Sequence, residues 1–177
     1  MVALTDADLV SRAQAGQLDA FEQLVRKHRL ATYRVALRML GDESDAEDAT
    51  QDAFVQAWRS LAGFRADAAF STWMYRVVTN RCLNMLRARR RTEPLPDDRE
   101  APASRPDRIA EARWQVEDLK LAILRLTPEQ RAPLVLRELQ GCSYEEIAQA
   151  LDLSIPAVKS RLHRARLELL AAMGAWQ

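Results

Sequence analysis

The chain has 177 residues, with 26 Lys+Arg against 25 Asp+Glu and a formal charge of +1. Hydrophobic residues make up 48% and charged residues 29%, which suits a soluble fold with one or two small cores and excludes a collagenous, disordered or disulfide-stapled chain. The apolar stretch Leu169–Trp176 is too short to cross a bilayer. Residues 1–10 carry Asp6 and Asp8 and no basic start of a signal peptide, and Cys82 and Cys142 have no CxxC partner, so a cytoplasmic location is expected.

In chain order, Thr5 and Asp19 are candidate helix N-caps, and Ser44-Asp-Ala-Glu47 reads as a capping box. Ala46, Ala49, Ala53, Phe54, Ala57, Trp58 and Leu61 then recur at helical spacing. Residues 62–69 read as a loop. Ser71–Arg91 reads as one long helix with Phe70, Trp73, Met74, Val77, Val78 and Met85 on one side. Residues 92–108 hold four of the seven prolines and read as a linker, reaching roughly 55–60 Å when extended. Ile109, Ala112, Val116, Leu119, Ile123 and Leu126 begin a second set of helices. Thr127-Pro-Glu-Gln130 and Ser143-Tyr-Glu-Glu146 are two more capping boxes, the first with Pro128 at the favoured N1 position. Pro133 falls inside a predicted helix, where it should remove a hydrogen bond. The glycines, Gly16, Gly41, Gly63, Gly141 and Gly174, each follow a helical stretch. No segment alternates with period two. The fold class expected is all-α: two small helical domains, 1–91 and 109–177, joined by a flexible linker and acting as independent tethered readers.

The near-neutral total hides sorted charge. Residues 42–52 hold six acids and no base, whereas 81–91 hold five arginines and no acid. Residues 155–166 hold Lys159, Arg161, Arg164 and Arg166 and no acid. A short capped helix, the turn Asp152-Leu-Ser154 and a long amphipathic helix have the spacing of a helix-turn-helix. Ile155, Val158, Leu162, Ala165 and Leu169 share one arc of that helix. Ser160, His163 and Arg164 lie opposite, flanked by Lys159 and Arg161, a face suited to a DNA groove. Arg76, Asn80 and Arg87 line a second basic-amide face, and the loop before it is a candidate pocket for an unstacked base. The acidic helix would repel DNA and reads as a docking face for a basic protein. Asp45, Asp48 and Asp52 share a helix side and are the nearest approach to a metal-dependent nuclease site.

Three stretches, DAEDATQDAFVQAW (45–58), FRADAAFSTWMYRVVTN (64–80) and SYEEIAQALDLSIPAVKSRLHRAR (143–166), resemble a bacterial sigma-70 family sigma factor of the extracytoplasmic-function (ECF, group four) branch. The resemblance implies that the N-terminal domain is region two. Its acidic helix, with Asp45, Asp48, Gln51, Asp52, Phe54 and Trp58, would bind the β′ clamp helices of core RNA polymerase. Phe64, Arg65 and Phe70 of the loop, with Arg76, Asn80, Arg81 and Arg87, would recognise and melt a −10 element. The C-terminal domain would be region four, reading a −35 element with Lys159, Ser160, Arg161, His163 and Arg164 and touching the β flap. The linker would pass toward the RNA exit path. An anti-sigma factor is a common partner in that family, and no membrane insertion is implied. The resemblance also implies a non-enzyme with no catalytic residue, cofactor or metal, since polymerisation would belong to the core enzyme. The rival reading is a helix-turn-helix regulator that binds operators without docking on polymerase; it leaves the acidic helix and the linker unexplained.

Overall fold

The computed structural model describes residues 4–92 and 108–174, with side-chain environments for 4–91 and 117–173. Among them are eight α-helices and no strand. They are α1 (Asp6–Gln14), α2 (Leu18–Leu40), α3 (Glu43–Ser60), α4 (Phe70–Thr92), α5 (Arg108–Arg125), α6 (Pro128–Gln140), α7 (Tyr144–Leu151) and α8 (Ile155–Gly174), with a 3-10 turn at Leu61–Gly63 after α3. Thr92 and Arg108, the ends of the expected linker, are helical, and its prolines lie outside the described residues.

The helix starts follow local chemistry. Thr5, Thr127 and Ser143 each accept from the backbone N–H three residues on, while Asp8, Gln130 and Glu146 reach back to the cap. Two sequence expectations need correction. The box at Ser44 does not form, because Gly41 ends α2 in the left-handed region (φ 77°) and Asp42 then takes the Asp45 N–H at 2.9 Å. Ser44 is left exposed inside the first turn of α3. Asp19 is not a cap either: α2 begins one residue earlier, after Gln17, and the Asp19 carboxylate pairs with Arg12 at 3.0 Å. Pro133 does sit within α6 and is buried. It lies five residues after Pro128, so the carbonyl that loses its partner belongs to exposed Glu129, near the helix start.

Helices α1–α4 pack on one another around Leu24, Val35, Met39, Met74 and Val78, all fully buried. The small residues Ala46, Ala49, Ala53 and Ala57 line the buried side of α3. Helices α5–α8 enclose a smaller core of Leu136, Ile147, Val158 and Leu162. The two sets are not independent bodies. Helix α2 packs on α6 and α4 on α7, and the buried residues form one continuous cluster. Arg131 of α6, 5% exposed, donates to the carbonyls of Met39, Leu124, Leu126 (2.9 Å) and Ile123 (3.1 Å), so one guanidinium closes the C-terminal ends of α2 and α5. Burial, with the nearby charge of Arg90 added, lowers its pKa. A Cβ on Gly41 would lie 2.6 Å from Leu124 Cδ1, so the glycine serves the module contact as well as the turn. Tyr75 of α4 donates to Gln140 of α6 at 3.0 Å.

Candidate nucleic-acid interface

The C-terminal surface is built by one helix and the turn before it. Asp152 ends α7 in the left-handed region (φ 53°), the Leu153 N–H bonds back to the Ala148 carbonyl, and Ser154 Oγ accepts from the Ala157 N–H. This turn sets α8 with Val158, Leu162 and Ala165 buried, as the period predicts. Lys159, Ser160, His163 and Arg164 are exposed and Arg161 is half-buried. Arg164 donates to Ser160 Oγ at 3.0 Å, one turn back along the face. Sequence reasoning did not single out the roles of Tyr144 and Arg137. The Arg137 guanidinium lies 4.8 Å and the Lys159 ammonium 5.4 Å from the centre of the Tyr144 ring, which orients Lys159 on the rim of the face.

The N-terminal surface needs the 64–70 loop together with α4, α3 and α2. Phe64 is half-buried and packs on Trp73 at 4.9 Å; Phe70 is 3% exposed and packs on Trp73 at 5.7 Å. These two aromatic residues anchor the two ends of the loop. Between them Arg65 and Asp67 are exposed and face each other at 3.5 Å, and Ala66 takes a left-handed conformation (φ 56°) that a side chain disfavours. Arg76, Asn80 and Arg87 are exposed along α4. Arg76 and Asn80 border a cleft of about 570 Å³ between α3 and α4, together with Gln56, Arg59 and Trp73.

Arg81 is placed differently from its neighbours. Its guanidinium pairs with Asp52 of α3 at 2.7 Å, and Arg89 pairs likewise with Asp45. Two residues assigned to polymerase binding thus face the basic helix of their own chain. At about 100° per residue, Asp45 and Asp52 share a direction on α3, while Glu47, Gln51 and Trp58 point well away from it. Asp48 is exposed between the two sets. The outward set borders a second groove of about 570 Å³, between α2 and α3, walled by Phe21, Val25, Tyr33, Gln51, Phe54 and Trp58. Phe54 is its floor, 7% exposed, and the Trp58 ring rests 4.9 Å from Phe21. The α2 wall has no signal in the sequence; in the structure Leu18 stands exposed at its rim. Among the described residues no group of acids, histidines or cysteines has metal-ligand geometry, and no helix is long and apolar enough to cross a membrane.

Comparison with known proteins follows the same division. The family described as Sigma-70 region 2 matches residues 24–92, and Sigma-70, region 4 matches residues 117–169. The ECF RNA polymerase sigma factor SigE of Mycolicibacterium smegmatis is 38% identical over 86% of this chain, which spans only 61% of that relative. The ECF RNA polymerase sigma factor SigM of Mycobacterium tuberculosis is 37% identical over 96% of this chain and 85% of its own length. CnrH, solved in complex with the cytosolic domain of CnrY, superposes with a TM-score of 0.74 at 30% identity, over 96% of this chain and 97% of that one. An engineered region 2 of sigmaE, solved in complex with GTAAAA, gives 0.50 at 36% identity over 54% of this chain and 100% of that one. An all-helical pair of modules with a helix-turn-helix at one end and an acidic helix at the other is the architecture of a transcription initiation factor. The chain belongs to the sigma-70 family, in its extracytoplasmic-function branch. Members of this family are not enzymes; the polymerase they serve performs the chemistry.

Proposed function

We propose that this chain docks on bacterial core RNA polymerase, brings it to promoters carrying a particular −10 and −35 element, and opens the first of them. The observation that carries this is the exposed, acid-free basic face of α8, held outward by Val158, Leu162 and Ala165 buried on the other side of the same helix. Lys159, Ser160, Arg161, His163 and Arg164 read the upstream element there. Arg65, Arg76, Asn80 and Arg87 follow and read the −10 strand, with Phe64 and Phe70 supporting the loop and Arg81 held on Asp52. The similar region 2 solved in complex with GTAAAA supports this placement. Gln51, Phe54 and Trp58 receive the β′ clamp helices in the α2/α3 groove, with Asp48 on its flank and Asp45 acting through α4. Region four touches the β flap. An anti-sigma factor, where one exists, competes for these surfaces, and the site of action is the cytoplasm, with the polymerase.

The packed modules cannot serve both elements at once. Sites named −35 and −10 lie about 25 base pairs apart, roughly 85 Å along B-DNA. A globule of this length has a radius of gyration of only about 16 Å. On a promoter, Arg131 therefore leaves the Met39 carbonyl, Tyr75 leaves Gln140, and the 92–108 segment supplies the reach. The polymerase holds both modules, so binding is bivalent and neither needs high affinity alone. Run-off transcription with bacterial core polymerase on a genomic fragment library tests the reading. Discrete, chain-dependent products support it; no gain over core polymerase alone overturns it.

A further inference from the structure

The described structure gives α1 a task that lies outside the matched region 2, which begins at residue 24. Gln14, near the end of α1, donates from its side-chain amide to two backbone carbonyls, Leu61 at 2.9 Å and Phe64 at 2.8 Å. These carbonyls flank the 3-10 turn and the start of the 64–69 loop. The other end of the loop is Phe70. Its ring packs at 5.1 Å on His28, whose Nε2 lies 2.8 Å from the Asp6 carboxylate of α1. Lys27 also pairs with Asp6, at 2.6 Å. Burial works against the Asp6 charge, but Lys27 and His28 hold its pKa below the usual value. Both ends of the loop are thus tied to one short helix. The middle is not: a groove of about 720 Å³ separates α1 from Arg65, Ala66 and Asp67, which stay exposed.

We infer that α1 sets the conformation of the −10 reading loop, with Gln14 as the positioning residue at Phe64 and the Asp6–His28 pair as the support beneath Phe70. This deepens the proposed function and rests on it. The physical case is one of preorganisation. A loop that must hold an unstacked base gains nothing from contacts that it has to form anew on each encounter. It already carries a left-handed Ala66, a conformation that persists only when the ends are fixed. One amide donating to two carbonyls fixes the chain direction at the point where the helix gives way to the loop.

The test uses the full chain with core polymerase on a promoter selected by run-off from a random-sequence library. Gln14→Glu keeps the shape and removes both donors; Gln14→Met does so without adding charge and stands in should the first variant fail to fold. Gln14→Lys restores a donor within reach of both carbonyls. Open-complex formation, followed by permanganate reactivity of the melted strand, is expected to fall about tenfold for Gln14→Glu and Gln14→Met. The preference for the selected −10 sequence over single-base variants is expected to flatten as well. Gln14→Lys recovers most of both. Upstream-element binding and core polymerase affinity stay within twofold, as does everything measured for Gln23→Ala on α2. An equal loss on every −10 variant, with the preference ratio unchanged, overturns the inference by making Gln14 a stability residue only; so does no loss at all. If the wild-type chain selects no promoter, the proposed function fails first, and the two failures are distinguishable.

Discussion

The two surfaces proposed to face DNA are assembled in opposite ways. On α8 every functional candidate lies within six consecutive residues, and the same period that buries Val158, Leu162 and Ala165 exposes Lys159, Ser160, His163 and Arg164. The N-terminal surface joins residues far apart in sequence: Asp52 with Arg81, Asp45 with Arg89, Gln14 with Leu61 and Phe64. A surface carried by one helix should respond to substitutions one at a time. A surface held by cross-links between elements should respond in coupled groups.

The largest expected effect breaks the link between the two. Arg131→Leu leaves four carbonyls at helix ends without their shared donor, two of them in buried contacts. It should lower stability by about 3 kcal/mol, read as a lower urea midpoint. Two separated transitions, one for each set of helices, would show that Arg131 also makes them unfold together. Next, Arg164→Ala should weaken binding to a cognate upstream duplex by about 2 kcal/mol. An equal loss on scrambled DNA would reduce Arg164 to a phosphate contact and α8 to a non-selective surface.

The contrast also explains what was readable from the sequence. The eight helices, the caps at Thr127 and Ser143 and the face of α8 follow from patterns within a few residues, which sequence records directly. The cap at Asp42 is not announced by the box at Ser44, because Gly41 ends the preceding helix and fixes the entry two residues earlier than Ser44 suggests. From the sequence, the acidic helix reads as a single docking face. Its pattern of charge was right, but the partner of Asp45 and Asp52 is a helix about 30 to 45 residues on, and nothing local announces that pairing. Arg131 is the extreme case: its partners are carbonyls, which carry no sequence signature at all.

One thiol sits in each region, so pH separates them. Cys82 of α4 and Cys142 between α6 and α7 are both buried, and burial pushes their pKa up to about 12 and about 11 from an ordinary 9.0. A raised folded-state pKa leaves stability untouched below the ordinary value. Above it the unfolded chain loses the proton first, so stability falls between pH 9 and the folded pKa, approaching about 1.4 kcal/mol per pH unit for each thiol. Replacing either cysteine with alanine should flatten the fall. Thiol-trapping in the native state should be slow at both positions; fast trapping at Cys142 alone would show the C-terminal set opening by itself.

Smaller still are the charges of α3. Asp48→Lys should weaken core polymerase binding by about 1 kcal/mol, with the loss shrinking at high salt. Asp52→Lys should act instead through Arg81, so that Arg81→Ala in the same chain adds little to its effect. The pair is half-exposed, and a coupling of only about 0.5 kcal/mol is expected from a double-mutant cycle.

Tyr75→Phe is the mildest test and the most direct one of opening. It deletes the hydrogen bond to Gln140 and keeps the ring, so the module contact should lose about 0.5–1 kcal/mol while the fold keeps its packing. Burial raises the Tyr75 pKa, helped by Cys142 and Glu146, so the hydroxyl stays protonated and donating throughout the neutral range. If parting of the modules limits promoter engagement, the variant should start transcription up to about fivefold more readily at low polymerase concentration, the factor that such a free-energy change converts to. Because Tyr75 lies beside Arg76 on the helix proposed to read DNA, the control is DNA binding by the polymerase-bound form, in which the proposal has the modules already apart. There the substitution should change nothing, and a loss at that stage would place Tyr75 on the reading surface instead of on the latch.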